Sequence, residues 1–525
     1  MSTPDSSAVV SSRRNVGRTG VAGIIAILLI SARASLADEA KASLGPGSST
    51  GAQPAESSQA AEAWGPVQTG KASIANVAPL LLPFFNNGPV FGLPGTVVGD
   101  FRLRTQLTGD WGGLRKDLTD HGVFVDLYSV STYQNVLAGG LATGSGFFQN
   151  TQLSLNLDTG RAGLWPGGLF HFTLESRYGD SAEETFTVGS SAPQHVGLAL
   201  PGPFFDRNAY PTEYFLVQAL TPRVSVLLGK LTFLNIADQT LFGDSYKYYF
   251  ANFNFNKDPI ALSFYNTTTL ALAGLWTPAE WLTIGAGVFD PNSQANNLAK
   301  DAFDHVNLYT AWLFSYTLGG LPGQLEAQYN RTTKPKIDLA SPFGPLTPAQ
   351  VPQAVGVLLG SPSTAGLPIN HKQTTWGTIT SISQYLFVMD DGAAITPKLK
   401  SGQPLQGVGL FARFGYSPER ASTVAYHGSM ALFAHGLFDR KYDSFGAGYY
   451  YNAISGDLKN DFQRLTAGTA AAHDEQGIEV FYDLAITPAI RLIPSYQHIW
   501  HPLVADVSKG ESGADVFLAR VTMAF

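Results

Sequence analysis

The chain has 525 residues, among them 55 Gly and no Cys, with 12% aromatic and 14% charged residues and a formal charge of −7. Soluble domains average roughly 25% charged residues, nucleic-acid binding needs a basic patch that this balance does not offer, and the missing Cys removes disulfides and thiolate sites. No 20-residue apolar run occurs, which excludes helical membrane spans; a charge-poor, aromatic- and Gly-rich chain without such a run points instead to a membrane-spanning β-barrel.

At the N-terminus Arg13, Arg14 and Arg18 precede the apolar run 21–30, and small residues follow. Ten apolar residues are too few to span a bilayer, so residues 1–37 read as a secretory signal peptide, with cleavage after Ala34 or Ala37. Its removal takes away four Arg and one Asp and leaves a mature chain near −10. Residues 38–100 read as a leader, Ala/Ser/Gly/Gln-rich to about Glu62 and Pro- and Phe-rich from Pro79 to Pro94. Within it Gly65 to Lys71 nearly spells a phosphate-binding loop, but Ala72 stands where a Ser or Thr is required, and neither a preceding strand nor a following helix is evident.

Residues 107–122 follow, Leu-Thr-Gly-Asp-Trp-Gly-Gly-Leu-Arg-Lys-Asp-Leu-Thr-Asp-His-Gly. The pattern predicts a short helix at about 110–121, with Asp110 as cap, Leu114 and Leu118 on one face, Gly122 as stop and Trp111 as a buried anchor. The run Gly-Asp-Trp-Gly-Gly-Leu-Arg, with a Leu and a Gly at four-residue intervals after it, resembles the carbohydrate-selective porin (OprB) family. The resemblance continues in Leu157-Asp158, Trp165 to Gly168, Gly320 to Gly323, Gly409 to Phe414 and Leu492 to Gln497, in that order, and covers about residues 100–525. It implies an outer-membrane porin of a Gram-negative bacterium that passes sugars passively, with no cofactor.

Beyond Gly122 the chain alternates strands and turns. Strands are expected to begin near Val123, Thr151, Leu169, Glu213, Arg223, Leu262, Trp281, His305, Gln324, Thr374, Gly407, Ser422, Ser444, Gly477, Ala489 and Ala514. The expected fold is therefore all-β, a transmembrane antiparallel β-barrel of about 16 strands over residues 101–525, with a short helical and irregular periplasmic segment at its start. Links after even strands are short and Pro/Gly-rich, and those after odd strands are long, as periplasmic turns and extracellular loops are. Two links break the parity, a long one at 390–406 and a short one at 417–421. The last strand puts Phe517, Ala519, Val521, Met523 and Phe525 on one face and Arg520 and Thr522 on the other. That pattern is the signal expected to be read by the barrel assembly machinery.

Because a charge at the lipid midplane costs roughly 2–4 kcal/mol, the apolar face of each strand points to outer-membrane lipid and the other to the lumen. This assigns Glu175, Arg177, Glu326, Phe411, Arg413, Glu479 and Arg520 to the pore lining. Sugars are neutral polyols, and mixed charges with aromatic faces supply donors, acceptors and apolar contact without a single-sign field. These residues are the candidate contacts for mono- or small oligosaccharides. No Gly-x-Ser-x-Gly or His-Glu-x-x-His motif occurs. Glu479 and Asp483 lie roughly 13 Å apart along one strand face, too far for a glycosidase pair. No enzyme and no metal site is expected, and His498 and His501, beside Trp500, read as interface or loop residues. The alternatives are a general or ion-selective porin, or an outer-membrane barrel enzyme or structural protein. Which sugar passes, which loop narrows the pore, and monomer versus homo-oligomer stay open.

Overall fold

The structure, a computed structural model, describes residues 97–179, 187–199, 209–233, 247–294, 302–400 and 404–525, all within one compact unit, 59–525. The expected signal peptide, nearly all of the leader and the Gly65 to Lys71 run lie outside the described residues.

The strands are β1 Val123–Gly139, β2 Gly144–Asp158, β3 Gly168–Gly179, β4 Ala209–Thr221, β5 Val224–Thr232, β6 Thr268–Ala279, β7 Leu282–Phe289, β8 Asn307–Leu318, β9 Leu321–Thr332, β10 Lys336–Ile337, β11 His371–Lys372, β12 Thr375–Val388, β13 Gly407–Tyr416, β14 Val424–His435, β15 Ser444–Ile454, β16 Glu475–Thr487, β17 Ile490–Trp500 and β18 Gly513–Ala524. The two short strands β10 and β11 pair with each other within one loop, and the remaining sixteen form a closed barrel in which each strand pairs with its chain neighbours and β1 also pairs with β18. Every pairing is antiparallel; across the seam Tyr128 faces Ala524 and Thr132 faces Arg520. Closure satisfies every strand edge, the requirement that lipid imposes.

Period-two alternation explains the strands. In β18 residues 514, 516, 518, 520, 522 and 524 are buried on the inner side, and the residues between them, Phe517 and Met523 among them, are half-exposed on the outer side. All sixteen barrel strands arise in the expected order. The two largest boundary errors are β2, which begins at Gly144 rather than near Thr151, and β6, which begins at Thr268 because Leu262 belongs to a 3-10 turn, Pro259–Ser263, inside the barrel. Both parity exceptions are present. The link 389–406 carries a helix, Gly392–Lys400, on the short-turn rim, and the link between β13 and β14 is a brief 3-10 turn, Glu419–Ala421.

Residues Leu114–Asp120 form the expected N-terminal helix, preceded by a 3-10 turn, Trp111–Gly113. Asp110 serves its start, its carboxylate accepting the Lys116 backbone N–H at 2.8 Å. Gly122 stops the helix at a φ of +81°, where a Cβ would lie 2.6 Å from the Asp158 carbonyl. The anchor differs from the expectation. Leu114 is 54% exposed and Trp111 41%, whereas the buried members are Arg115 and Thr119. The Arg115 guanidinium lies 4.4 Å from the Trp111 ring centroid and donates to three main-chain oxygens, of Gly109 at 3.1 Å, Val125 at 2.9 Å and Phe525 at 2.7 Å. Three convergent acceptors make the cation a better seat than an indole. The helix therefore sits on the rim that bears the chain's last residue and the short turns, which is the periplasmic rim of such barrels.

Candidate functional site: the lumen and its in-folded loops

The link between β5 and β6 does not extend outward. Residues 250–261 are buried throughout, and they are held by the inner face of the opposite wall. Residues 248–255 contain five aromatics, and Asn252, Asn254 and Asn256 alternate with Phe253 and Phe255. The rings pack on the wall while the amides and carbonyls meet its polar groups. Phe250 lies against Phe481 at 4.7 Å and Phe255 against Tyr450 at 5.7 Å between ring centroids. Two glycines of β15 make this approach feasible: a Cβ at Gly446 would meet the Phe481 and Phe250 rings at 2.5 and 2.9 Å, and one at Gly448 would meet the Phe255 ring at 2.6 Å.

Three of the charged residues expected to line the pore, Glu479, Arg520 and Arg413, anchor this loop. Glu479 on β16 accepts the backbone N–H groups of Ala251 and Asn252, both at 2.8 Å. Arg520 on β18 donates to the Tyr249 carbonyl and lies in the field of Glu479 and Asp483. Arg413 on β13 donates to the Phe255 carbonyl at 3.2 Å and the Asn256 carbonyl at 3.5 Å, and from Nε to Ser381 at 3.2 Å. Its guanidinium also covers the Phe411 ring at 4.7 Å. Phe411 is 1% exposed and Arg413 3%, so both lie beneath the loop. Glu326 on β9 is also buried and inward and accepts from Gln328 at 2.7 Å; it is the register partner of Ser381, which in turn opposes Arg413.

A second loop, 187–199 between β3 and β4, folds in beside the first. The Val196 N–H donates to the Ala251 carbonyl at 2.8 Å and the Phe253 N–H to the Pro193 carbonyl at 3.0 Å, which joins the two loops. Arg177 on β3 donates to the Gly197 carbonyl at 2.6 Å, Gln497 donates to the Gln194 carbonyl at 2.9 Å, and Thr132 contacts His195 at 3.3 Å. Glu175, two residues from Arg177, accepts from Asn150 at 2.5 Å. The seven expected residues thus fall into two groups. Phe411, Arg413, Glu479 and Arg520 surround the 247–267 loop, with Glu326 on the row that leads through Ser381 to Arg413, while Glu175 and Arg177 sit by the 187–199 loop.

The loop residues Lys247, Tyr248 and Tyr249 were missed from the sequence, whereas alternation already turns Asp483 and Arg491 to the lumen. Tyr248 and Tyr249, at the start of the in-folded stretch, are only half-buried. Arg491 on β17 lies 5.1 Å from the Tyr248 ring and pairs with Asp483, while Lys247 lies 4.4 Å from the Tyr128 ring on β1. These residues bring aromatic faces, cations and a carboxylate together at the edge of the loop. The run of five aromatics and three amides in a long interstrand link was the signal that could have found them, because a loop bound for water does not need such rings.

The comparisons with known proteins bear on this barrel. A model of the family described as carbohydrate-selective porin, OprB family, matches residues 143–514. The chain belongs to the OprB family of carbohydrate-selective porins. Among solved structures the high-pH structure of Pseudomonas putida OprB is 17% identical and covers 81% of this chain and 100% of its own, with a TM-score of 0.64. The low-pH structure of the same OprB is 15% identical and covers 81% and 99%, with a TM-score of 0.48. The likeness in fold rests on the first of these. No curated protein sequence matches this chain. As an OprB-family porin with this fold, the chain is a carbohydrate-selective diffusion channel of the Gram-negative outer membrane.

Proposed function

We propose that sugar selectivity is exercised at the edge of the 247–267 loop, with the work divided between contact residues and positioning residues. The observation that carries this reading is that Arg413, Glu479 and Arg520 are already engaged with loop backbone. They set where the constriction stands. Tyr248, Tyr249, Lys247 and Arg491 then offer a passing pyranose what water-filled lumens lack, an apolar ring face beside hydroxyl donors. Glu175 and Arg177 act on the second loop, and Glu326 supports the row that ends at Arg413. Transport is passive and needs no cofactor, and family and fold point to a channel rather than an enzyme. The outward apolar faces meet outer-membrane lipid, β18 is the strand read by the assembly machinery, and residues 1–37 direct export.

The test is single-channel current in planar bilayers with rising glucose or maltose. Tyr248→Ala should weaken sugar block about tenfold or less, with open conductance little changed, since contacts on an aromatic ring face are worth about 0.5–1.5 kcal/mol. Arg413→Ala should instead raise open conductance and current noise, because it frees the loop. Sugar block unchanged in both variants, together with a sharp loss of anion selectivity in Arg413→Ala, would favour an ion-selective porin.

A further inference from the structure

Three side chains meet on the rim opposite the chain's end. His473 lies two residues before β16, His501 immediately follows β17, and Asp506 lies in the helix Leu503–Lys509 of the β17–β18 link. The spacing of His498 and His501 in the sequence is misleading: His498 turns to Asp515 on the wall, at 2.7 Å, and only His501 turns to Asp506. His473 Nδ1 lies 2.9 Å from Asp506 Oδ2 and His501 Nδ1 lies 3.4 Å from Asp506 Oδ1. The two imidazole rings are 4.6 Å apart, and one ligand atom from each residue falls within 4.8 Å of the others.

We propose that His473, His501 and Asp506 bind one first-row divalent transition-metal ion, with zinc the best fit. Two ligands held about 2.0–2.1 Å from a tetrahedral zinc lie about 3.3 Å apart. Here each imidazole nitrogen meets a different oxygen of Asp506 and one ligand atom from each residue lies within 4.8 Å of the others, so only a small closure of the rings brings the set to that spacing. Two imidazoles and one carboxylate are a zinc donor set that leaves a coordination position for water. On binding, each neutral imidazole changes tautomer, its proton moving through solvent from Nδ1 to Nε2, so that both Nδ1 lone pairs and one carboxylate oxygen of Asp506 face the ion. Asp506 is already oriented for this, since its Oδ2 also accepts the His473 backbone N–H at 2.9 Å. His501 is held at a φ of +49°, in the left-handed region that non-Gly residues seldom adopt, and this turn aims its ring at Asp506 instead of along the strand. The site ties the end of one extracellular loop to the next. The Val504 N–H of the same helix donates to the Gly189 carbonyl at 2.7 Å, so the metal also steadies the helix that holds the start of the 187–199 loop.

The experiment uses the full chain, folded in detergent and stripped with chelator, titrated with zinc by calorimetry and with cobalt by visible absorption. Wild type is expected to take up one ion per chain, with the absorption of a four- or five-coordinate cobalt site. The His473 side chain is 56% exposed, so His473→Ala should fold, as its heat-modifiable mobility on gels will report. It should weaken binding by at least about tenfold, the loss that even outer partners of a metal site produce. His501→Gln should do the same, and His498→Ala should titrate like wild type. No saturable uptake by wild type, identical isotherms for wild type and His473→Ala, or loss of the site in His498→Ala would each overturn the proposal.

Discussion

Two long links of this barrel meet opposite fates. The one between β5 and β6 enters the lumen, and the one between β9 and β12 stays outside and builds a cap. The first has rings and amides but little aliphatic side chain, and it meets carboxylate, guanidinium and glycine seats on the facing wall. The second carries the β10–β11 pair and a helix, Val351–Leu358, whose Ala354, Val357 and Leu358 are buried in one cluster with Leu458 and Phe462 of the helix Gly456–Leu465. Its aliphatic side chains are shared with the helix of the β15–β16 link and join one cluster with Ile260 and Val424. What separates plug from cap is thus whether a loop's unsatisfied backbone is answered by the wall or by helix formation within the loops.

If that contrast is right, damage to the cap should leave the pore alone. Phe462 is fully buried, and Phe462→Ala should cost the cap about 3–5 kcal/mol. The expected result is faster protease cleavage within 455–474 with unchanged single-channel conductance; a conductance change would mean the cap gates the pore. Next in size, Glu479→Ala leaves two buried N–H groups without their acceptor, a loss of about 3 kcal/mol. This variant should show the converse, a higher and noisier conductance with the cap as protease-resistant as wild type. Gly448→Val sharpens the point from the packing side, because its side chain must displace the Phe255 ring. Overpacking of this kind costs about 1–3 kcal/mol, and conductance should rise less than in Glu479→Ala while the barrel's thermal midpoint changes little. The smallest effect belongs to the surface pair that ties the cap's hairpin to the β13–β14 turn. Arg420 donates to both carboxylate oxygens of Asp338 at 2.6 Å and holds that carboxyl below the ordinary carboxylate range. A depressed native value means the pair contributes fully above the unfolded carboxylate pKa of about 3.9 and loses its contribution as pH falls through the lower native value. Protease accessibility of 333–374 should therefore rise only in that acid window in wild type. Arg420→Ala should show the neutral-pH accessibility slightly raised and the acid step absent.

The sequence made the wall readable and the plug unreadable for one physical reason. Strand order and facing follow from a period of two enforced by lipid on one side and water on the other, a constraint local to each strand. Glu175, Glu326 and Arg520 could be placed inward on that basis alone. What they touch could not, since Ala251 lies 228 residues from Glu479 and nothing local to either marks the meeting. The same limit explains the N-terminal helix. Leu114 and Leu118 have the spacing of a buried pair, but the acceptors that draw Arg115 inward come from β1 and from the far end of the chain. Spacing also grouped His498 with His501, whereas a change of backbone direction at His501 sends them to different carboxylates.

The Arg115 clasp has a bearing on biogenesis. It spans 410 positions of sequence, from the first helix to the last residue, and so cannot exist on a nascent or shortened polypeptide. Until β18 docks beside β1, the guanidinium lacks one of its three acceptors and the helix is held by local bonds alone. The seat of Arg115 is therefore complete only in the closed cylinder, since one of its three acceptors arrives with the end of β18.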